Sequence, residues 1–400
     1  MIDAEAAMTG RESRFDAGMV LFLHNRYRTT GGEERAVEDL MWLVREHLGE
    51  TAELLTRDSA SLARARAAAG LLRGGLAPAE VAAAVRSSGA RVVHAHNLQP
   101  TLGWRALAAA RSAGARVVLH LHQYRLVCAI GVCFTQGAEC TRCHGRNTLP
   151  GVRLNCRANM PEALAYGSSL ALWQRQLVAQ ADVVIVPSVF ARERLRDLGA
   201  PLDWERVHVL APPLRVAGSA ATEGAAVKEG AAATDAAAGS YALVVARLSP
   251  EKGVDVAIDA CRLAGVPLVV AGDGPEREAL GRRAGDGAVR FVGHVDDAQL
   301  AQLRAGAAIA LAPSRSAETF GLAVAEAMAA GLPVAASRVG ALPELLDAQA
   351  LVPAGDADAL AGAIARVAGD RAAGERGRER VLSLCAPDVV ARTLAELYRG

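Results

Sequence analysis

The sequence predicts an α/β fold with two parallel sheets wound on both faces, and three observations support this prediction. The chain has 400 residues, more than a single hydrophobic core usually supports, so we expect two domains. Its composition is 52% hydrophobic and only 4% aromatic, which fits sheets of Val and Leu covered by Ala-rich helices. Strand-length apolar runs alternate with helical periods on both sides of a low-complexity segment at 216–240.

The first domain is predicted over residues 19–215, after a polar lead at 1–18 that does not resemble a signal peptide and that we expect to be flexible. Four short apolar runs are predicted strands, at 19–24, 91–94, 116–120 and 181–187. An amphipathic helix is predicted over 33–48 and a second helix over 104–112. Strands that alternate with helices in this way form a parallel sheet.

The segment at 216–240 is rich in Ala, Gly, Thr and Glu, and it is predicted to be a linker. The second domain follows over 241–400, and its last helix, near Leu397, is a candidate to pack back on the first domain. Its five predicted strands lie at 241–246, 267–272, 289–293, 308–312 and 333–337. Ligands of such sheets bind beyond the carboxyl ends of the strands, so loops of both domains should face one cleft.

The charge pattern excludes some classes of function. The chain has 44 basic and 43 acidic side chains and no long run of like charge, so we do not expect it to bind nucleic acid. The first half is net basic, which fits either ordinary surface variation or contact with an anionic surface. No apolar run approaches the roughly 20 residues of a membrane-spanning helix. We therefore expect a cytoplasmic protein, with peripheral contact at the inner membrane left open, and no oligomeric state is indicated.

Two cations follow the first strand of the second domain. The segment Ala246-Arg-Leu-Ser-Pro-Glu-Lys-Gly places Arg247 and Lys252 in a loop at the binding edge of the sheet. Lysine is rare in this chain, where Lys228 is the only other, so a compact ammonium group here is informative. The two cations suit a diphosphate, and a solvated loop with incidental charges is the alternative.

Two later strands also end in notable residues. Gly272 lies in a tight turn that lets the backbone approach a ligand. Glu318 comes directly before a predicted helix, and Glu326 lies eight residues later inside it. Open N–H groups at a helix start attract phosphate, and a carboxylate beside them can accept hydrogen bonds from hydroxyl groups. Because Glu326 is surrounded by Ala, Val and Met in the sequence, we expect it to have a partner.

Together these residues resemble the retaining glycosyltransferases of family 4, which have the architecture called GT-B, two Rossmann-like domains that face a cleft. The matching segments are Arg247-Leu-Ser-Pro-Glu-Lys-Gly, Gly272-Asp-Gly-Pro, and Glu318 with Glu326 in a Glu-x7-Glu spacing. Ala246 stands where the family usually has glycine. The resemblance extends over most of the chain.

The resemblance implies roles for residues of the second domain. Arg247 and Lys252 would neutralise the diphosphate leaving group. Glu318 would hold hydroxyls of the transferred sugar, and Glu326 would hold the ribose. The other donor-binding residues implied are those of the glycine turn, the backbone beside the base and the helix start, namely Gly272, Val292, Gly293, Thr319, Phe320, Gly321 and Leu322.

The resemblance also implies roles for residues of the first domain. Gly31 and Gly32, followed by Glu33, match a glycine loop that approaches the donor phosphates. His122 matches the family histidine near the reacting face of the sugar. His120 alternates with His122, so we expect it to point to the opposite side of the strand.

The implied reaction moves a hexose-type sugar from a nucleotide diphosphate sugar, with UDP preferred to GDP, to a hydroxyl of a saccharide, a lipid-linked saccharide or a small metabolite. The acceptor would attack the sugar from the same face on which the leaving group departs, so the anomeric configuration is retained. We find no Asp-x-Asp motif of the kind that holds a divalent ion in other glycosyltransferases, and we expect no catalytic metal or cofactor. A GT-B epimerase, a phosphorylase-like enzyme and an inactive GT-B scaffold are the alternatives.

Five of the seven cysteines lie between residues 128 and 156. Cys140 and Cys143 form a Cys-x-x-Cys pair, and with Cys128 and Cys156 they offer four soft ligands for a structural zinc ion. Reduced thiols and a redox-sensitive disulfide are the alternatives. The segment resembles an insertion found in one branch of family 4.

The cysteine segment follows His122 closely, so we expect it to form part of the acceptor side of the cleft. His94 and His96 end another strand of the first domain. They either line that same side or are simply packed in the interior.

Overall fold

The computed structural model describes residues 18–27, 31–215 and 239–400. The predicted lead at 1–18 and the predicted linker at 216–240 therefore lie almost entirely outside the described residues. Within the described ranges the chain forms two six-stranded parallel sheets with helices on both faces, and the predicted fold class is confirmed.

The first sheet and its helices come from the first half of the chain. Its strands are β1 (Met19–Arg26), β2 (Thr51–Asp58), β3 (Val92–Ala95), β4 (Arg116–His120), β7 (Val183–Val186) and β8 (Val207–Val209), and β5 (Phe134–Thr135) and β6 (Ala138–Glu139) form a separate antiparallel hairpin. The helices are α1 (Gly32–His47), α2 (Arg64–Arg73), α3 (Pro78–Ser88), α4 (Gly103–Ser112), α5 (Leu149–Arg153), α6 (Met160–Ala179) and α7 (Val189–Asp197). The sheet order is β2-β1-β3-β4-β7-β8.

The second sheet repeats this architecture. Its strands are β9 (Tyr241–Val245), β10 (Leu268–Ala271), β11 (Val289–Gly293), β12 (Ala307–Ala312), β13 (Val334–Ser337) and β14 (Leu351–Val352), in the order β11-β10-β9-β12-β13-β14. The helices are α8 (Val254–Ala264), α9 (Arg277–Ala284), α10 (Asp297–Gly306), α11 (Leu322–Ala329), α12 (Leu342–Leu345), α13 (Ala357–Val367), α14 (Arg371–Cys385) and α15 (Pro387–Arg399). Short 3₁₀ turns lie at Trp204–Arg206, Pro250–Lys252 and Ala348–Ala350.

The central strands are buried on both faces, which explains their composition. All four residues of β3, of β7 and of β10 are buried, and most of these residues are Val, Ile, Leu or Ala. A sheet covered by helices on both sides requires such continuous apolar runs. Among the described helices no single one is long and apolar enough to cross a membrane, and α2 with α3 meets that test only as a pair bent by 77°.

The last helix of the chain returns to the first sheet. Leu394 and Tyr398 of α15 are buried in the same core cluster as Val20 and Phe22 of β1. The Nε of Arg116 donates to the carbonyl oxygen of Leu397 at 3.0 Å. The end of the chain thus forms part of the core under the first sheet.

The strand order of each sheet defines where a ligand can bind. In the first sheet β1 lies between β2 and β3, and in the second sheet β9 lies between β10 and β12. At each of these positions the chain changes the direction in which it adds strands. Such points leave a crevice at the carboxyl ends of the strands. The loops after β1, β3, β4, β9 and β12 are therefore the places to look for a site.

Candidate functional site

A cavity of about 1840 Å³ lies between the carboxyl ends of the two sheets. The start of α1, the loop after β4, the loop after β9 and the segment from β12 into α11 line it. Pockets for one small ligand are commonly about 300–1000 Å³. The cavity has room for a donor and an acceptor together.

The glycine turn after β10 packs directly against the loop after β9. Gly272 has φ 128°, and a Cβ atom at this position would overlap the carbonyl oxygen of Ala246. The amide of Gly272 also donates to the carbonyl oxygen of Gly293 at 2.7 Å. Gly272 lines the cavity, whereas the lining beside β11 consists of His294 and Val295. The structure thus brings the predicted Gly272 to the cavity and holds Gly293 just behind it.

Val292 and Gly293 are the predicted contacts of the base. Val292 is partly buried and packs against the core of the second domain. Gly293 ends β11 and has φ 71°. Neither residue lines the cavity, whose lining here begins at His294, so the structure does not bring the predicted base contacts to the cavity wall.

Lys252 and Glu318 form an ion pair on the cavity wall. The Nζ of Lys252 lies 2.6 Å from Oε1 of Glu318, and the Oγ of Ser314 donates to the same oxygen at 2.6 Å. Burial alone would raise the pKa of Glu318, but the charge of Lys252 and the two hydrogen bonds lower it below its usual value. Glu318 is therefore a carboxylate, which can only accept hydrogen bonds.

Arg247 lies on the same wall, with just over half of its side chain exposed. Its Nη2 donates to Oε1 of Glu251 at 2.7 Å, and Ser249 donates to that same oxygen at 2.7 Å. Burial would raise the pKa of Glu251, but the bonds from Ser249 and Arg247 lower it. Glu251, together with the Oγ of Ser249 that accepts from Nε of Arg247 at 3.3 Å, thus holds the guanidinium on the cavity wall.

Glu326 has the partners that the sequence led us to expect. Its side chain is 12% exposed and is paired with Arg304 of α10. The Nε of Arg35, from α1 in the first half, lies 3.2 Å from the other carboxylate oxygen of Glu326. Arg35 also binds Asp297 at 2.8 Å. The carboxylate therefore joins the two halves across the cavity.

The N-terminus of α11 faces the cavity without a side-chain cap. The residue before the helix is Gly321, with φ 96°, and a Cβ atom there would overlap Leu342. Thr319 donates to the carbonyl oxygen of His122 at 2.8 Å, which ties this turn to the first half. Thr319, Phe320, Gly321 and Leu322 all line the cavity, as predicted residues of the helix start.

The glycine loop of the first half lies on the opposite wall. Gly31 precedes α1 and its amide donates to Oε2 of Glu34 at 2.8 Å, and α1 begins at Gly32. Glu33 accepts a hydrogen bond from the hydroxyl of Tyr27 at 2.6 Å. All of these residues line the cavity. Residues 28–30 of this loop lie outside the described residues.

Four histidines form a stack at the carboxyl ends of β3 and β4. The rings of His120 and His122 lie 4.2 Å apart and are nearly parallel. The prediction that His120 points away from His122 was therefore wrong, because side chains two positions apart along a strand lie on the same face, and the end of β4 keeps both rings on one side. His96 Nδ1 lies 2.7 Å from His122 Nε2, and His94 Nε2 lies 3.2 Å from His120 Nδ1.

Burial lowers the pKa of each of these four imidazoles, and neighbouring imidazoles lower most of them further. The pKa of His94 falls to about 3. The hydroxyl of Tyr398 in α15 lies 2.7 Å from His94 Nδ1. The ligand nitrogens of His94, His96 and His120 are within 4.8 Å of one another, a spacing that would also allow a metal ion. This cluster was indicated in the sequence by two histidines at the end of each of two strands, His94 with His96 and His120 with His122.

The five cysteines of the first half surround a second cavity of about 20 Å³. The predicted Cys128, Cys140, Cys143 and Cys156 are among them, and Cys133 is a fifth that the predicted set omitted. All are free thiols. A hydrogen bond from Cys133 lowers the pKa of Cys128 to about 6, although burial opposes this. The four predicted metal ligands thus line one small cavity, but among the described residues the cysteine sulfurs do not form a group of three or more within 4.8 Å of one another.

The sequence does contain one Asp-x-Asp triplet, Asp356-Ala357-Asp358. Asp356 precedes α13, and its side chain accepts a hydrogen bond from the amide of Ala359 at 2.8 Å. None of the three residues lines the large cavity. This triplet is a helix cap.

Comparison with known proteins follows the same division into halves. Residues 29–213 match the family described as "Glycosyl transferase 4-like domain", and residues 239–370 match the family described as "Glycosyl transferases group 1". Together the two matches account for most of the chain.

Curated relatives match over shorter segments. The chain is 41% identical over 125 residues to phosphatidyl-myo-inositol mannosyltransferase of Mycolicibacterium smegmatis, covering 29% of this chain and 32% of the relative. It is 45% identical over 108 residues to GDP-mannose-dependent alpha-(1-6)-phosphatidylinositol dimannoside mannosyltransferase of Mycobacterium tuberculosis, covering 26% and 28%. It is 38% identical over 172 residues to glycogen synthase of Mycobacterium tuberculosis, covering 39% and 41%. Each match spans less than half of the relative.

Solved structures share the whole architecture. Sucrose-phosphate synthase of Thermosynechococcus elongatus superposes with a TM-score of 0.65 at 20% identity, covering 96% of this chain and 98% of the other. HepE of Anabaena, in complex with UDP and glucose, gives 0.61 at 19% identity, covering 95% and 98%. At these identities the likeness concerns the fold. With the two family matches on either side of residue 216, the chain belongs to the glycosyltransferases of the GT-B, family 4 type.

Proposed function

We propose that the chain transfers a hexose-type sugar from a nucleotide diphosphate sugar to a hydroxyl group of an acceptor, with retention of the anomeric configuration. The observation that carries this proposal is the arrangement of Lys252 and Glu318 beside the open N-terminus of α11, with His122 across the same cavity. This arrangement offers one charged place for a diphosphate and one hydrogen-bonding place for a sugar.

The diphosphate is the leaving group in such a reaction, and negative charge develops on it as the sugar departs. Arg247 and Lys252 supply two cations on one wall of the cavity. The N–H groups at the start of α11 add a partial positive charge directed at the same region. Donors fixed in advance around a developing charge lower the barrier without reorganisation. These groups replace the divalent ion used elsewhere, so the proposal includes no catalytic metal.

The sugar would lie between Glu318 and His122. Glu318 is a carboxylate because Lys252 and Ser314 lower its pKa, and a carboxylate accepts bonds from sugar hydroxyls. His122 is neutral because burial lowers its pKa, so it adds no charge beside the reacting face. The acceptor hydroxyl would attack from the face on which the diphosphate leaves, which retains the configuration.

The ribose would be held by Glu326. Its two oxygens provide about four acceptor sites, of which Arg304 and Arg35 occupy part. Two neighbouring ribose hydroxyls can use the remaining sites or displace the more exposed Arg35. The proposal thus couples donor binding to the contact between the two halves.

The donor base and the acceptor are proposed from the relatives' names. The sequence favoured UDP over GDP only as the commoner base, whereas one relative is named as GDP-mannose-dependent. We therefore take GDP-mannose as the first donor to test and UDP-hexoses as its competitors. A lipid-linked acceptor fits the phosphatidylinositol in two of the relatives' names, and a saccharide or a small metabolite are the other acceptor classes. A cytoplasmic enzyme in peripheral contact with the inner membrane fits this proposal.

Thermal stability in the presence of nucleotide sugars tests the donor site. We expect one sugar among GDP-mannose, UDP-glucose, UDP-N-acetylglucosamine and ADP-glucose to raise the melting temperature, with EDTA present and absent. The shift should be lost in Glu326→Ala and kept in Glu379→Ala, an exposed carboxylate of α14 outside the cavity. Absence of any shift would favour an inactive scaffold, and donor turnover to an isomeric sugar nucleotide without acceptor would favour an epimerase.

A further inference from the structure

A line of hydrogen bonds runs from the last helix, α15, to the wall of the large cavity. The hydroxyl of Tyr398 lies 2.7 Å from Nδ1 of His94, and Nε2 of His94 lies 3.2 Å from Nδ1 of His120. His120 lines the cavity, whereas His94 and Tyr398 do not. Tyr398 and His94 can therefore act on the cavity only through His120.

The two imidazole rings are oriented for a hydrogen bond between them. The planes of His94 and His120 differ by 9° and their centres are 5.4 Å apart. Because the two bonded nitrogens are only 3.2 Å apart, they lie between the two centres and the rings meet edge to edge. The N–H and the lone pair of an imidazole lie in the plane of the ring, so this arrangement lets one ring donate to the other.

The hydroxyl of Tyr398 sets the direction of these bonds. Tyr398 is 2% exposed, and among the described residues its hydroxyl has no partner other than His94. A buried O–H without an acceptor is costly, so the hydroxyl donates to Nδ1 of His94. The proton of His94 then lies on Nε2, which donates to Nδ1 of His120. The proton of His120 consequently lies on its own Nε2.

The opposite direction is less favourable. If His120 donated to His94, then Nδ1 of His94 would donate to Tyr398, and the hydrogen of the phenol would be unpaired in the core. Burial lowers the pKa of His94 to about 3 and lowers that of His120 well below its usual value, so each ring carries a single proton. The buried end of the line thus selects one tautomer for both histidines.

The Nε2 of His120 is available to a ligand. It has no hydrogen-bond partner in the part of the chain that the structure describes, and, unlike Nε2 of His96, it is not fully enclosed by protein atoms. The ring of His120 lies 4.2 Å from that of His122, beside which the proposed sugar lies. The hydroxyl oxygens of a sugar accept hydrogen bonds from such a donor.

We propose that His120 donates a hydrogen bond from Nε2 to a hydroxyl oxygen of the transferred sugar, and that Tyr398 and His94 are positioning residues that keep this nitrogen protonated. The proposal rests on the glycosyl transfer proposed above and adds a residue to its sugar site. It also connects α15, which packs under the first sheet, to the polarity of the cavity wall.

NMR of the chain labelled with ¹⁵N in histidine tests the tautomers without any substrate. We expect His120 to be protonated at Nε2 and unprotonated at Nδ1, with its signals assigned by their loss in His120→Gln. In Tyr398→Phe a second population protonated at Nδ1 should appear, because the direction of the line is no longer fixed.

Three results of these measurements would overturn the positioning role. They are a proton on Nδ1 of His120 in the wild-type chain, an unchanged tautomer in Tyr398→Phe, and one metal ion per purified chain held by His94, His96 and His120. The first and the third need only the wild-type chain, so they apply even where a variant fails to fold.

Kinetics test the contact with the sugar. We expect Tyr398→Phe to lower kcat/KM by about 3–10-fold, the range for loss of one hydrogen bond between neutral groups. The amide of a glutamine reaches the place of Nε2 and needs no tautomer, so Tyr398→Phe should cause no further loss in a His120→Gln background. Tyr241→Phe is the matched control, because it removes a buried hydroxyl that donates to Leu303 at 2.7 Å away from the cavity.

The combined variants separate positioning from stability. An equal loss of kcat/KM from Tyr398→Phe in the wild-type and His120→Gln backgrounds would show that the hydroxyl acts on the fold alone, and would contradict the proposal. A lack of transfer by the wild-type chain would count against the proposed function, whereas the tautomers would still decide whether Tyr398 positions His120.

Discussion

The two walls of the large cavity differ in how they use charge. The wall of the second half carries opposite charges in pairs, Lys252 with Glu318 and Arg247 with Glu251. The wall of the first half carries a stack of buried imidazoles whose pKa values burial lowers. The charged pairs of the second half suit the diphosphate of a donor, while the uncharged imidazoles of His120 and His122, which line the cavity, suit the rings and hydroxyls of sugars. The first half also contributes charged side chains such as Glu33 and Arg125 to the lining, so its distinguishing feature is the histidine stack rather than an absence of charge.

Lys252→Ala tests the charged wall and should have the largest effect. The ammonium group stabilises the departing diphosphate and also lowers the pKa of Glu318, so both functions are lost. We expect kcat to fall by about 10²–10³-fold, the range for removal of one preorganised donor. The measurement is nucleoside diphosphate release in the presence of acceptor.

Lys228→Ala is the matched control, since it removes the only other lysine of the chain. Its activity should equal that of the wild type. Near-normal activity of Lys252→Ala would contradict a catalytic role for the charged wall.

Glu326→Gln should have a smaller effect and a different kinetic signature. Because the ribose is bound equally in the ground state and the transition state, we expect KM for the donor to rise with little change in kcat. The loss of bonds to a charged acceptor, about 1.5–3 kcal/mol, corresponds to about 10–100-fold in KM. Steady-state kinetics with varied donor give the result, with Glu379→Gln as control. A loss confined to kcat would contradict the ribose assignment.

Acid titration of the folded protein tests the burial of the histidine stack. A histidine whose folded pKa is below its unfolded value stabilises the fold above the unfolded pKa and loses this stability as pH falls. For His94 the window runs from 6.5 down to about 3. We expect the free energy of unfolding to fall by about 1.4 kcal/mol per pH unit for each such group within its window.

Urea unfolding between pH 7.5 and 4.5, followed by the fluorescence of the chain's four tryptophans, gives the slope. His94→Asn should reduce the slope, and His208→Asn on β8 should leave it unchanged. A flat profile in the wild-type chain would mean that the stack is already protonated or hydrated.

The same two walls differ in how far the sequence predicted them. Lys252, Glu318 and Gly272 follow strands with clear apolar runs, so their place at the sheet edge could be predicted from local pattern alone. The partners of Glu326 could not be identified, because Arg35 lies 291 positions earlier in the chain and only the closed fold brings it near. The contact of Tyr398 with His94 is hidden for the same reason.

Some strands were missed for local reasons. β2 has the sequence Thr-Ala-Glu-Leu-Leu-Thr-Arg-Asp and lies at a sheet edge, where half-exposed polar residues interrupt the apolar pattern. β8 and β14 are only three and two residues long, too short to give a period. Cys133 was omitted because it belongs to no short cysteine pair in the sequence, and only the hairpin brings it next to Cys128.

The anomeric configuration of the first product tests the central claim most directly. The chain would be incubated with GDP-mannose, or with whichever nucleotide sugar stabilises it, in the presence of EDTA. Proton NMR would give the anomeric configuration of the product glycoside, and that of any released free sugar before it can mutarotate. The account predicts that the α-configured donor gives an α-configured product with EDTA present. A β-configured first product, or turnover only after a divalent ion is added, would contradict it.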